Sequence, residues 1–176
     1  PASAAAASPT AEGYQPLPAE PQNPIVADGN AAFVAGRYED ARRQFIRAVL
    51  ADERDGYAKM LYAWASFALG DFEVAASALR RAMLTTPDLV DYPMDLRALY
   101  PDPARLNEQI DALVRFNTEH PGNRETELVL GYLYYSVGQA EQAAGIFNGL
   151  AGRDQNDTIM ALIRDAAIRA ARGQTP

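Results

Sequence analysis

Few side chains in this sequence have the type and spacing to do chemistry. His120 is the single imidazole, placed beside Pro121 in a turn, and a lone histidine without a second ligand builds neither a catalytic triad nor a zinc site. It reads as a solvated turn residue. The pairs Glu39-Asp40 and Asp52-Glu53 are neighbours in sequence, and neighbouring side chains diverge on a helix, so they read as solvated faces rather than an acid–base pair. Asp154-Gln155-Asn156-Asp157 shares three positions with a calcium loop but lacks its glycine and distal glutamate, and reads as a turn. No glycine cluster has a phosphate-cradling pattern. Cysteine is absent, which removes thiolate nucleophiles, disulfides and zinc–cysteine sites. With no grouping of nucleophile, base or metal ligands, the expectation is a protein that is not an enzyme, with no catalytic residue, no cofactor and no metal.

Composition narrows the partners. The formal charge is −7 and the isoelectric point about 4.7, and Lys59 is the only lysine among 16 scattered basic residues. Nucleic acids and anionic membranes both require clustered cations, so neither is expected as a partner. No run of 18 apolar residues occurs, so no helix is expected to insert into a bilayer. At 48% hydrophobic residues over 176 positions, the chain can bury a core.

What must position any functional side chain is a repeat. Gly70, Phe72, Ala75, Leu79 and Ala82 return 34 residues earlier as Gly36, Tyr38, Ala41, Phe45 and Ala48. They return 68 residues later as Gly138, Ala140, Ala143, Phe147 and Leu150, with no insertion between copies. A period of 34 with this small-and-apolar pattern predicts stacked helical hairpins. Units are expected at 22–55, 56–89, 90–123 and 124–157, with an Ala-rich capping helix at 158–173 behind Asp157 as N-cap. That makes about nine helices, no strands and one continuous core. Gly29 inside the first helix is expected where another backbone comes close. The third unit keeps the length but not the sequence. Tyr92-Pro93 and Tyr100-Pro101-Asp102-Pro103 exclude a normal first helix, leaving a short one over about Met94–Leu99. Asp102 then caps a second helix opened by Pro103. Residues 1–21 hold five prolines before Pro24 and read as an extended Pro/Ala tether. Within it, Tyr14-Gln15-Pro16-Leu17-Pro18 is the stretch that could dock on an aromatic groove.

Two apolar stripes on one helix cannot both face one neighbour. In the second unit Ala63 and Ser66 form a small face, while Met60, Trp64 and Phe67 form a different stripe with either a partner or a covering element of the chain to explain it.

Leu130-Gly131-x2-Tyr134 followed by Ala143-x3-Phe147, together with Ala41-x3-Phe45 and Ala75-x3-Leu79 with Pro87, resembles the tetratricopeptide repeat family over about residues 22–157. The family's leading Trp is missing, with Ile25, Lys59 and Glu127 in its place. The resemblance implies an all-α, right-handed superhelix of about four hairpins, the third degenerate, plus a capping helix. It implies a concave groove formed by the first helices, carried here by Asn23, Val26, Asn30 and Phe33, by Tyr57, Met60, Trp64 and Phe67, and by Glu125, Leu128, Tyr132 and Tyr135. The clamp with which some relatives grip a terminal carboxylate is not matched, since Asn30 alone fits it. Aromatic walls favour an apolar or proline-containing segment, so the expected function is a non-catalytic interaction scaffold that binds a protein or peptide partner. The alternative is a structural subunit that self-assembles, through the degenerate unit or the N-terminal arm, in a larger envelope-associated complex. The chain opens on Pro1, as a trimmed or processed polypeptide would, and a tethered array suggests an extracytoplasmic place.

Overall fold

The computed structural model describes residues 23–154 and 156–174; the expected tether at 1–21 lies outside the described residues. Among the described residues there are eight α-helices and no strand: α1 (Pro24–Val34), α2 (Tyr38–Ala51), α3 (Gly56–Ala68), α4 (Phe72–Thr85), α5 (Pro103–Glu119), α6 (Arg124–Ser136), α7 (Ala140–Arg153) and α8 (Thr158–Ala171). Two short 3-10 turns, Pro87–Val90 and Leu96–Leu99, lie between α4 and α5.

The periodic residues explain the hairpins. The first helix of each regular hairpin, and α8, begins on an Asn or Asp whose side chain accepts a free backbone N–H of the first turn. These bonds are Asn23 to Ile25 at 3.0 Å, Asp55 to Ala58 at 2.8 Å, Asn123 to Thr126 at 3.3 Å and Asp157 to Met160 at 3.1 Å. The second helices α2, α4 and α7 have no side-chain cap, because each follows a tight turn on a glycine. Gly36, Gly70 and Gly138 have φ of 73°, 82° and 81°, the left-handed region that a side chain makes costly. The residue after each glycine donates five positions back, as Arg37 to Ala32 at 2.9 Å, Asp71 to Ser66 at 3.0 Å and Gln139 to Tyr134 at 2.8 Å.

Within a hairpin the two helices meet through a small residue facing a large one. A Cβ on Gly131 would lie 2.8 Å from the Phe147 ring, and Gly29 stands in the same relation to Phe45. At the equivalent place in the second hairpin Ala63 replaces the glycine and Leu79 the phenylalanine, both buried. Gly29 therefore makes room for an aromatic ring rather than for a neighbouring backbone.

The stack runs α1, α2, α3, α4, then directly α6, α7 and α8. The degenerate unit is present as the two 3-10 turns and α5, but it is set out of the stack. Position 104, one period after Gly70, holds Ala104 inside α5, so the turn glycine that would fold a hairpin is missing. Pro93, Pro101 and Pro103 remove the first helix, and the helix expected over Met94–Leu99 is only the 3-10 turn Leu96–Leu99. Ion pairs hold the resulting junction. Arg80 of α4 reaches Glu125 of α6 at 2.9 Å and Asp157 at the head of α8 at 3.0 Å, and Arg124 pairs with Asp154 at 3.0 Å. Asp102 caps α5 through Ala104 at 2.9 Å, as its place before Pro103 requires. His120 caps the other end of α5, its Nδ1 2.9 Å from the Phe116 carbonyl and its ring stacked on Phe116.

Candidate functional site

The first helices α1, α3 and α6 and the last helix α8 share one side of the stack. Residues 87–119 lie against that side: the turn Pro87–Val90 meets α4 and α8, the turn Leu96–Leu99 meets α1, and α5 rests on α3 and α6. The segment between α4 and α5 thus crosses the inner face from the last helix to the first.

The residues expected to line an open groove are brought together on this face, but most of them are covered. Phe33, Met60, Trp64, Phe67, Leu128, Tyr132 and Tyr135 are all buried. Asn30 is half-buried, and Tyr57 alone of the nine is 40% exposed. Val26 is half-buried against the core, Asn23 serves as the cap of α1, and Glu125 is drawn away to Arg80. The physical reason is the displaced unit. With no hairpin of its own, the chain from Pro87 to Pro103 lays Leu89, Val90, Leu96 and Tyr100 into one apolar cluster with the groove residues. An aliphatic side chain so buried contributes roughly 1.5–3 kcal/mol. α3, with ten of its 13 residues buried, is the helix most enclosed by this arrangement.

Ring geometry gives the face its order. Trp64 stacks on Tyr132 with centroids 5.9 Å apart and planes at 23°, and meets Phe67 edge-on at 6.1 Å. Tyr132 meets Tyr135 edge-on at 6.1 Å. At the other end Phe33 lies between Tyr38 at 5.0 Å and Tyr100 at 5.2 Å, the latter contact at 85°. The segment adds one buried hydrogen bond, Tyr132 Oη donating to the Leu89 carbonyl at 2.8 Å, and one ion pair, Asp91 with Arg169 of α8. Burial pushes the Tyr132 hydroxyl far up, with Tyr135 adding to the effect. Burial raises Tyr100 likewise, with Tyr38 adding and Arg105 opposing. Tyr135 is raised first by burial and then by Asp91, with Arg169 opposing. All three phenols stay neutral, and Tyr132 is the one whose hydroxyl donates to the segment. The Asn30 side-chain oxygen, the Trp64 Nε1 and the Tyr100 Oη are buried without a hydrogen-bond partner among the described residues.

The sequence left the aromatic stripe two explanations, a partner or a cover formed by the cap, the degenerate unit or Trp64's own neighbours. The degenerate unit lies over it, by a route the sequence did not give. Leu89-Val90, following Pro87 in a unit that could not form a hairpin, was the signal for Leu89, Val90, Leu96 and Tyr100 as residues of the site. Elsewhere the carboxylates have plain structural duties: Asp154 accepts Arg124 and the Asn156 N–H, and Glu39 and Asp40 pair with Arg42 and Arg43 three residues on. Among the described residues, no group of three or more His, Asp or Glu could hold a metal ion.

Stacked hairpins with a small-facing-large seam and an inner aromatic face define an α-helical repeat array. Residues 26–86 match the model of the tetratricopeptide repeat family, and this part of the chain is similar to that family. Among curated proteins none matches. Similar solved structures include two tetratricopeptide repeat proteins. The first TPR of Spaghetti, bound to an HSP90 peptide, is 15% identical over 84% of this chain and 93% of that one, with a TM-score of 0.40. A thermophilic TPR protein from Thermus thermophilus is 16% identical over 86% and 88%, with a TM-score of 0.34.

Proposed function

We propose that the chain is a non-catalytic scaffold whose inner face receives an extended, apolar or proline-containing polypeptide segment. The receiving residues are Asn30, Phe33, Tyr57, Met60, Trp64, Phe67, Leu128, Tyr132 and Tyr135. The observation that carries this reading is that the face already accommodates an apolar, proline-containing segment, the chain's own Pro87–Pro103 with its two 3-10 turns, through aromatic contacts and the bond from Tyr132 to the Leu89 carbonyl. Proline-bearing stretches are pre-ordered and pack well on aromatic walls. Peptide-array binding followed by titration tests it: the reading expects micromolar-range capture of extended apolar peptides, abolished by Tyr132→Ala. Capture of none would sink it. A second reading, a self-assembling subunit, draws on Leu50 and Leu84, one repeat apart and 70% and 63% exposed. Light scattering separates the two, since assembly requires a mass that grows with concentration.

A further inference from the structure

We infer that residues 87–102 are a built-in competitor for the partner, so that the inner face is closed at rest and opens by exchanging one apolar, proline-bearing segment for another. The inference rests on the receptor reading given above. Three observations carry it. First, the stack does not need the segment for continuity, because α6 packs directly on α4 and Arg80 already ties α4 to α6 and α8. The segment can leave the face without breaking the row of hairpins. Second, it is held at separated points: Leu89 and Val90 beside α8, Leu96 by α1, and Tyr100 against Phe33 and Tyr38. Between the first two anchors Tyr92 is 55% exposed and residues 93–95 belong to no helix or strand. Third, the polar fit is incomplete. The segment satisfies Tyr132, yet Trp64 Nε1 and Asn30 Oδ1 on the face and its own Tyr100 Oη are orphaned. An unpaired buried polar atom is a desolvation cost without return, and a filler built only to close a core has no reason to leave three.

The occupant's chemistry describes the partner. It is a stretch without a long helix, able to form short 3-10 turns, with a pair of aliphatic residues and, at the spacing of Val90 and Tyr100, an aromatic followed by proline. An acidic residue beside the aliphatic pair would take the place of Asp91 at Arg169. Its backbone groups could reach the indole N–H and the Asn30 oxygen that the internal segment leaves unpaired.

The probe is a synthetic peptide with the sequence of residues 86–102, added to the full chain. Leu96→Ala and Tyr100→Ala loosen the segment without touching the receiving face, and each is expected to tighten peptide binding at least tenfold, read by Trp64 fluorescence. Equal affinity in folded variants overturns the competitor and leaves the receptor reading intact. No binding by any form overturns the receptor reading itself. Should both variants unfold, hydrogen exchange on the unaltered chain decides. Bound peptide is expected to raise exchange across residues 88–100 while α3 stays protected, and unchanged exchange with peptide bound overturns the inference. A concentration-dependent dimer of the unaltered chain, with the same rise in exchange, makes the occupant a second copy and overturns the external partner.

Discussion

At Gly131 a hydrogen atom decides whether a phenylalanine ring fits. Gly29 with Phe45, Ala63 with Leu79, and Gly131 with Phe147 are three solutions to one packing problem, each holding the sum of two volumes nearly constant. Gly131→Ala would push a methyl to 2.8 Å from the Phe147 ring and is expected to lower stability by about 1–3 kcal/mol. Adding Phe147→Leu copies the Ala63–Leu79 pair and should recover most of the loss in denaturant titrations. Strict additivity of the two changes would refute the coupling. The spacing showed that Gly29 had to face something close, but a sequence cannot say whether a ring or a backbone fills the gap. Tyr132→Phe probes the inner face in the same spirit. It leaves the Leu89 carbonyl without its buried donor and should cost about 1–2 kcal/mol, with faster hydrogen exchange around Val90.

At the scale of elements, the junction between α4 and α6 depends on charges rather than on a hairpin. Burial alone would raise the Asp157 carboxyl, but hydrogen bonds from Arg80 and the Met160 N–H, with the charges of Arg80 and Arg124, outweigh it and hold it below the ordinary value. A carboxyl lower in the folded than in the unfolded chain gives stability that is complete above the unfolded value, about 4, and lost as pH falls through the folded one. Acid titration of unfolding should therefore show a loss below about pH 4 that Asp157→Asn flattens. An unchanged profile would remove Asp157 from the junction. Asp157→Ala, which also deletes the α8 cap, is expected to cost about 2 kcal/mol at neutral pH. The Asp157 cap, the turn glycines and the helices outside 87–123 were legible, because they follow from local chemistry repeated at a fixed period. The caps at Asn23, Asp55 and Asn123 were not, Asn23 having been expected in the groove. The route of the degenerate unit was not. The alanine at 104 and the prolines at 93, 101 and 103 announce that no hairpin forms, but not where the displaced chain goes. That is settled by the long-range match of Leu89, Leu96 and Tyr100 to a face already apolar in α1, α3 and α6.

For the molecule as a whole, the single tryptophan sits at the centre of the closed face, so its emission reports closure directly. Trp64 should emit as a buried indole and resist acrylamide in the unaltered chain, with quenching several-fold higher in Tyr100→Ala; high quenching from the outset would mean the face is open. The raised Tyr100 and Tyr132 phenols carry the opposite pH sign to Asp157. Their contribution is complete below the unfolded value of about 10 and lost as pH rises beyond it, so alkaline unfolding should begin there.

Rows of repeats ordinarily hold only their immediate neighbours, and they peel from whichever end is weaker. Here a strand of polypeptide touches both the opening rod and the closing one, like the string of a bow. Such a brace leaves neither end loose, so the array should melt in one sharp step instead of fraying. A single nick beside Tyr92, by cutting the string, should turn that step into gradual unravelling from the tips.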